Sequence, residues 1–349
     1  MSDYAFSGER SSGSQRIYLY DNIKFIAILL VVMGHFIDVI AVDGGDNWAK
    51  GTFITIYSVH IPLFIFISGL FVKPMDKSSK FPKQRVISFV LIGITMRIEY
   101  LILDIVLGNT VKYAVFDMYD TFAWFMWAMA IFNAIIWLFR EYNTKVLLVL
   151  SLLIGCAAGY DNFLGDKFAL MRIVVFLPFF IAGYMINPEK LAQILSKRIF
   201  KAVAFFIVIG FLFVFFKSQT VYDIFRPMFT GRHNFSSLKD LYNLGFLVRL
   251  ASYLISGVFG FSIMCLVVSA KIPFVSAIGT KTIQIYFWHK LFLAVLISWN
   301  YFDAVSAGFD EPITSIIIIL TAVVVTFICS APIFSFPAKQ LLAFGKPSL

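Results

Sequence analysis

The chain has 349 residues, of which 60% are hydrophobic, 18% aromatic and 14% charged, and its formal net charge is +9. Soluble domains typically carry about 25% charged residues and at most about 50% apolar ones, so these figures exclude an ordinary soluble globular protein. They predict an all-α membrane protein that has lipid rather than water as its solvent. At roughly 30 to 35 residues for each span with its connection, the length allows about ten transmembrane helices and no soluble catalytic domain beside them.

Ten apolar runs follow one another along the chain, and most are long enough to cross about 30 Å of hydrocarbon at 1.5 Å per residue. The fifth run is short. The runs lie at residues 23–41, 53–72, 86–107, 122–139, 146–159, 169–187, 199–216, 244–269, 278–300 and 313–335.

The 29 Lys and Arg residues are unevenly distributed between the two sides of this arrangement. Most fall on the side of the N-terminus, which predicts that both termini are cytosolic. This asymmetry and attraction to anionic lipid account for the net charge, so nucleic-acid binding is not predicted. The three cysteines lie far apart in apolar runs and predict no disulfide framework and no metal site. The predicted plan is a disordered cytosolic tail at 1–15, a single transmembrane domain at 16–340 with a long external loop at 217–240, and a cytosolic tail at 341–349.

The first run carries Asp21, Lys24, His35 and Asp38 on one helical face. From Lys24 to His35 the chain turns about 1100°, only about 20° beyond three full turns, and rises about 16 Å. A charge at the bilayer centre costs at least about 2.5 kcal/mol, so this polar face is expected to line an internal path. An imidazole suits a general base, although a structural histidine bonded to a neighbouring helix is the alternative. Asp38 either orients the His35 ring or lies at the membrane interface.

Two further runs carry candidate site residues. In the second, His60 is read equally as a substrate-binding residue or as an interfacial one, while Ser68 and Gly69 lie where another helix can approach closely. Near the C-terminus, Tyr286 and His289 are three residues apart and share a face. That pairing is consistent both with a polar cavity and with a structural histidine.

Several motifs occur in order along the chain, and together they resemble the acyltransferase-3 family of membrane O-acyltransferases, particularly its members similar to fucose 4-O-acetylase. A basic residue and a His eleven residues later, the HIPLFIFISG segment and a Tyr-x-x-His segment match the family's patterns. The family's Arg-x-x-Arg before Pro is replaced by KFPKQR, so Lys83 and Arg85 are approximate equivalents. The matching segments are YDNIKFIAILLVVMGH (20–35), HIPLFIFISG (60–69), AWFMWAM (123–129), FLPFFIAGY (176–184) and IQIYFWHKLF (283–292).

The resemblance implies acetyl-CoA as the donor and a hydroxyl of a cell-surface polysaccharide or lipid-linked glycan as the acceptor. His35 is either the general base for direct attack or the carrier of the acetyl group in a relay. The predicted catalytic residues are His35, Lys24 and Asp38. The predicted substrate-binding residues are His60, Ser68, Trp124, Tyr286 and His289. Lys83 and Arg85, in a basic cytosolic segment, are predicted to bind the polyanionic donor.

The expected location is the bacterial cytoplasmic (inner) membrane, with membrane lipids and polysaccharide-synthesis machinery as partners. The alternative function is a proton-coupled transporter of a small polar solute or glycan intermediate, in which the intramembrane His, Asp and Arg form a relay. Transporters commonly contain inverted repeats and broken helices. Neither is visible in this sequence, which favours the enzyme.

Overall fold

A computed structural model describes residues 16–41, 47–108, 123–161, 164 and 169–344. Within these ranges the chain is helical and contains no strand. The helices are α1 (Tyr18–Ala41), α2 (Asn47–Tyr57), α3 (His60–Leu70), α4 (Lys83–Val106), α5 (Trp124–Leu138), α6 (Thr144–Ala157), α7 (Leu170–Met185), α8 (Pro188–Leu195), α9 (Arg198–Lys217), α10 (Gln219–Thr230), α11 (Gly245–Leu266), α12 (Pro273–Gly279), α13 (Thr282–Ser298), α14 (Tyr301–Gly308), α15 (Glu311–Cys329) and α16 (Ala338–Ala343).

Six helical segments in the described part of the chain are long and apolar enough to cross a membrane, and two bent helix pairs bring the number to eight. The bent pairs are α7 with α8, at 93°, and α13 with α14, at 63°. Two of the ten predicted runs fall on shorter apolar helices, 124–138 and 144–160. The chain is therefore a multi-pass membrane protein with six to eight candidate spans, and the cytosolic placement of its termini stays a prediction. Both bends lie within about two residues of the predicted ends of the runs 169–187 and 278–300.

The second predicted run is divided into α2 and α3. Pro62 lies in the first turn of α3, and it has no N–H to donate to the carbonyl of Ser58 four residues earlier. The chain leaves helical geometry between Tyr57 and His60 for this reason. The break places His60 at the beginning of α3.

α1 lies at the centre of the bundle, where it contacts α2, α3, α12, α13 and α15. Its first turns are fixed by Asn22, whose Nδ2 donates to the carbonyls of Val268 and Ala270 at 2.8 and 3.0 Å. The hydroxyl of Ser276 in α12 donates to Asn22 Oδ1 at 2.7 Å. These bonds hold the polar face of α1 in one rotational position.

α3 and α7 meet with their backbones in direct contact. A Cβ on Gly69 would lie 2.1 Å from the carbonyl oxygen of Phe180, and a Cβ on Gly183 would lie 2.0 Å from that of Phe66. No side chain fits at either position. The prediction that a second helix approaches closely at Gly69 is confirmed, and the partner is the FLPFFIAGY segment.

The segment predicted as a long external loop, 217–240, contains α10 and the start of a 3₁₀ segment at Phe235–Leu244. Ser218 begins α10, because its hydroxyl accepts from the N–H of Val221 at 3.3 Å. The predicted N-terminal tail at 1–15 lies outside the described residues. So do residues 345–349 of the predicted C-terminal tail, whereas residues 341–343 belong to α16.

Candidate active site

The structure brings His35 of α1 and His289 of α13 together. Their rings are stacked, with centroids 5.3 Å apart and planes inclined at 27°. His289 is fully buried, whereas His35 is half-buried. A half-buried imidazole deep within a helix bundle remains open to a small ligand or water.

The ring of His289 has a fixed orientation. Its Nδ1 lies 2.8 Å from the carbonyl oxygen of Tyr286 and 3.1 Å from that of Ile285. Because a carbonyl oxygen can only accept, Nδ1 of His289 must carry the hydrogen in both contacts. In the neutral ring, Nε2 is then the nitrogen with a lone pair.

His60 of α3 lies next to this histidine pair, beside Gly34 of α1. Its Nδ1 donates to the carbonyl oxygen of Ile56 at 2.9 Å, so Nε2 again has the lone pair in the neutral ring. That Nε2 would lie 3.9 Å from a Cβ on Gly34, the residue before His35. The absence of a side chain at position 34 lets His60 pack close to the α1 backbone.

Asp38 reaches the site through Tyr57. The hydroxyl of Tyr57 donates to Asp38 Oδ2 at 3.1 Å, and the Tyr57 ring packs edge-on against His60 with centroids 4.6 Å apart. Among the described residues no hydrogen bond joins Asp38 to His35. Asp38 is therefore linked through Tyr57 to His60, and no hydrogen bond supports the expectation that it orients the His35 ring.

Two arginines that the sequence analysis did not assign also belong to this region. Arg172, at the start of α7, is buried, and its guanidinium lies 5.0 Å from the centre of the Trp124 ring. Its charge acts on the hydroxyls of Tyr57 and Tyr286. Arg232 follows α10, and its charge acts on both His35 and Tyr57. The signal for Arg172 was available, because it is a charge inside the apolar run 169–187.

Tyr286 and Trp124 are connected through one phenylalanine. The ring of Phe125 lies 5.3 Å from that of Tyr286 and 5.9 Å from that of Trp124, centroid to centroid. Tyr286 in turn lies 5.6 Å from the His289 ring. Trp124 and Tyr286 thus belong to the wall around the histidine pair.

Lys24 and Ser68 form a separate group towards the beginning of α1. The buried Lys24 Nζ lies 3.5 Å from Asp21 Oδ1 and 4.8 Å from the centre of the Phe71 ring. Lys24 and Ser68 line one small cavity between α1 and α3. The Ser68 hydroxyl already donates to the Phe64 carbonyl at 2.7 Å. Ser68 therefore lies with Lys24 and not with the histidines.

The predicted donor residues lie at the Lys24 end of the bundle. Lys83 is exposed and Arg85 is half-buried in the first turn of α4. Both residues belong to the basic segment 73–85, which begins two residues after Phe71. The Phe71 ring contacts Lys24. This segment is fixed by the N–H of Met75, which donates to the Tyr184 hydroxyl at 2.8 Å. In the described ranges no three His, Cys, Asp or Glu side chains cluster as a metal site.

A multi-pass helical membrane protein with a buried histidine centre is the class that this geometry defines. The chain belongs to the acyltransferase-3 family: the family model described as "Acyltransferase domain" matches residues 17–334. The family that its motifs resemble is thereby confirmed. A stretch of 64 residues is 41% identical to the nodulation protein NolL of Sinorhizobium fredii (strain NBRC 101917 / NGR234) and covers 18% of this chain and 18% of that relative's length. No solved structure matches the chain.

Proposed function

We propose that the protein transfers an acetyl group from acetyl-CoA to a hydroxyl of a cell-surface polysaccharide or lipid-linked glycan precursor. The observation that carries this proposal is the arrangement of α1. One face of this helix has Lys24 beside a basic segment at one end and His35, stacked on His289, about 16 Å further along. A polyanionic donor bound at the Lys24 end would have its thioester directed along α1 towards His35.

The proposed reaction needs one proton acceptor. A nitrogen of His35 takes the proton from the acceptor hydroxyl as its oxygen bonds to the thioester carbonyl carbon. The carbon–sulfur bond breaks, the proton passes to the departing sulfur, and the products are the acetyl ester and coenzyme A. Arg172, Arg232 and Lys290, the residue after His289, are cations in this region that can stabilise negative charge developing on the carbonyl oxygen.

In the relay form of the reaction, His35 carries the acetyl group before the acceptor receives it. The two forms differ in one observable. Protein incubated with labelled acetyl-CoA alone, then denatured and separated rapidly near neutral pH, where an acetyl-imidazole survives longest, retains label only if an acetyl-enzyme forms. Label on wild-type protein that is absent from His35→Gln would support the relay, and unlabelled wild-type protein with active transfer would support direct attack.

The proposed setting is the bacterial cytoplasmic (inner) membrane, with the donor entering from the cytosol. The basic segment at the Lys24 end supports this orientation, because cytosolic segments are rich in Lys and Arg. The proposed partners in this setting are membrane lipids and polysaccharide-synthesis machinery. No role for nucleic acid is proposed.

The test of the function is acetyl transfer by the purified chain, with labelled acetyl-CoA and a glycan acceptor. We expect His35→Gln to reduce the transfer rate by at least a hundredfold, the range of general-base catalysis. His233→Gln is the matched control, because His233 is exposed and lies outside the histidine centre. Transfer by His35→Gln at the rate of His233→Gln would overturn the proposed role of His35.

The bent pairs α7–α8 and α13–α14 favour the transporter alternative, since broken helices are common in transporters. Reconstituted vesicles separate the two functions. Solute or glycan flux that proceeds without acetyl-CoA would support transport. Transfer without flux would support the enzyme alone.

A further inference from the structure

Residues 330–337, which follow α15, form a strap along one face of α13, the helix that carries Tyr286 and His289. The strap includes the 3₁₀ turn Pro332–Ser335 and leads into α16, which packs against α13 and α4. The role proposed for the histidine centre does not account for these contacts.

Side chains of α13 bond to three consecutive carbonyls where α15 ends and the strap begins. Gln284 Nε2 donates to the carbonyl oxygens of Cys329 and Ala331, both at 2.7 Å. Lys281, the residue before α13, donates through Nζ to the carbonyl oxygen of Ser330 at 2.8 Å. The last carbonyls of a helix have no partner within that helix, so these side chains satisfy them. Because a carbonyl oxygen can only accept, both amide hydrogens of the buried Gln284 are used in this way.

One turn further along α13, Trp288 continues the same contact. Its Nε1 donates to the carbonyl oxygen of Phe336 at 3.0 Å. The ring of Phe334 packs against the rings of Trp288 and Phe292, with centroids 5.4 and 5.7 Å apart. From Lys281 to Phe292 the strap and the end of α15 therefore contact α13 over about 16 Å of its length.

The strap and the histidine centre lie on different faces of α13. At 100° per residue, Lys281, Gln284 and Trp288 lie within about 60° of one another. His289 lies about 140° around the helix from Gln284, and Tyr286 lies about 160° from it. A rotation of α13 about its axis would therefore break the bonds to the strap on one face and displace the site residues on another.

His289 follows any such rotation, because its ring is bonded to its own helix. Nδ1 of His289 contacts the carbonyl oxygens of Ile285 and Tyr286, one turn earlier in α13. His35, on which the ring stacks, belongs to α1. The orientation of α13 therefore sets the position of one ring against the other.

We propose that the strap positions His289 against His35, and that Gln284 is the principal positioning residue. Gln284 acts through the orientation of α13 and does not touch the reacting atoms. This inference rests on the proposed function, because the stacked histidines are its proposed catalytic centre. The predicted effect is on kcat and not on the KM for acetyl-CoA, because the proposed donor residues Lys83 and Arg85 lie on α4.

The first test measures the exposure of His289 on the full chain in detergent, without acetyl-CoA. Diethyl pyrocarbonate modifies neutral imidazole rings that it can reach, and peptide mass spectrometry assigns the modified residues. His289 and His60 are both buried, so both should be protected in the wild type. Gln284→Met keeps the side-chain length and removes both bonds to the strap. We expect it to raise modification of His289 about fivefold or more by local opening, while His60 on α3 stays protected.

Two further variants control this measurement. Ser330→Ala is the matched control, because the Ser330 hydroxyl donates to Phe327 of its own helix and its loss leaves the carbonyls of the strap in place. Trp288→Phe is the milder strap variant, because it keeps a ring against Phe334 and loses only the bond to Phe336. We expect wild-type protection of His289 in the first and a smaller rise in modification in the second.

The second test is a double variant in the transfer assay. We expect Gln284→Met to lower kcat about tenfold through loss of orientation, with the KM for acetyl-CoA unchanged. Added to His289→Phe, it should lower kcat no further, because it acts through that ring. Additive losses would overturn the inference.

Two labelling results would also overturn it. One is wild-type protection of His289 in both Gln284→Met and Trp288→Phe. The other is an equal rise in modification at His60 and His289, because the bonds would then stabilise the whole bundle and not the position of α13. Labelling requires no transfer, so a failure of the transfer assay leaves the labelling result standing. Unchanged labelling in an active protein leaves the proposed reaction standing.

Discussion

The stacked rings of His35 and His289 come from helices that are about 250 residues apart in sequence, and the second ring is fixed by its own backbone. Because Nδ1 of His289 donates to the carbonyls of Ile285 and Tyr286, the ring cannot rotate without losing both bonds. His289 therefore holds the plane of His35 and presents one nitrogen beside it.

Replacing His289 tests this arrangement. His289→Phe keeps an aromatic face against His35 and removes both ring nitrogens, whereas His289→Ala removes the face as well. We expect His289→Phe to lower the acetyl-transfer rate about tenfold with little change in melting temperature, and His289→Ala to lower it further. Wild-type activity in both variants would show that the stack has no part in catalysis.

The Tyr57–Asp38 hydrogen bond is expected to position His60. Hydrogen bonds to charged groups contribute about 1.5–3 kcal/mol, so Tyr57→Phe should lower kcat by roughly tenfold to a hundredfold and leave the KM for acetyl-CoA unchanged. Asp38→Asn should have a similar effect. If the two residues act through one bond, kcat of the double variant falls no further than kcat of the more damaged single variant. Fully additive losses would contradict this route.

The backbone contact between α3 and α7 predicts a clear stability effect. Gly69→Ala and Gly183→Ala each place a methyl group about 2 Å from a carbonyl oxygen, and overpacking of this kind costs at least about 1–3 kcal/mol. Gly210→Ala in α9 is the matched control, because no atom lies within 4 Å of its added Cβ. Thermal unfolding in detergent should show lower melting temperatures for the first two variants only. Equal melting temperatures for all three would contradict the contact.

The donor segment is expected to act by charge. Lys83→Gln with Arg85→Gln should raise the KM for acetyl-CoA about fivefold to tenfold at low ionic strength and leave kcat unchanged. The effect should shrink as salt is added, because surface charges are screened over about 10 Å at 0.1 M. Lys197→Gln with Lys201→Gln serves as the control for lost positive charge. A salt-independent change in kcat would point to misfolding instead of donor binding.

Asp76 in the same segment gives a pH-dependent prediction. Its Oδ1 accepts from the N–H and the hydroxyl of Ser78 and from the hydroxyl of Ser79, and these bonds lower the pKa of the carboxyl below its usual value of about 3.8. Because the pKa of the Asp76 carboxyl is lower in the folded turn than in the unfolded chain, its ionised form stabilises the turn at any pH above the ordinary value. This stabilisation is lost as the pH falls through the lowered pKa of the folded state. Hydrogen exchange of the turn amides should quicken at that pH, while Asp76→Ala should exchange fast at every pH.

Helical periodicity was sufficient to predict the polar face of α1. The spacing of Lys24 and His35 depends only on 3.6 residues per turn, and the burial of Lys24 agrees with an internal path. Periodicity gives no information on which helix faces which. The sequence could therefore nominate His35, His60 and His289 without showing that they surround one point, and it placed Ser68 with them although it lies beside Lys24.

Breaks in the helices were harder to predict. Pro62 signals the division between α2 and α3, but no local pattern predicts the hydrogen bond of Tyr57 with Asp38, which links residues 19 positions apart. The 93° bend after α7 falls where the Asn187 side chain caps α8 and Pro188 begins it, which is a helix-start signal that the sequence displays. The position of Arg172 at the site could have been predicted, because Arg172 is a charged residue within the apolar run 169–187.

The glycine contact between α3 and α7 has a mechanical consequence. Backbones that touch without intervening side chains leave little room for α3 to shift against α7 at Gly69 and Gly183. α3 carries His60 on its first turn, and α7 carries Arg172 on its first turn. The contact therefore fixes the two helices that supply this imidazole and this guanidinium against each other.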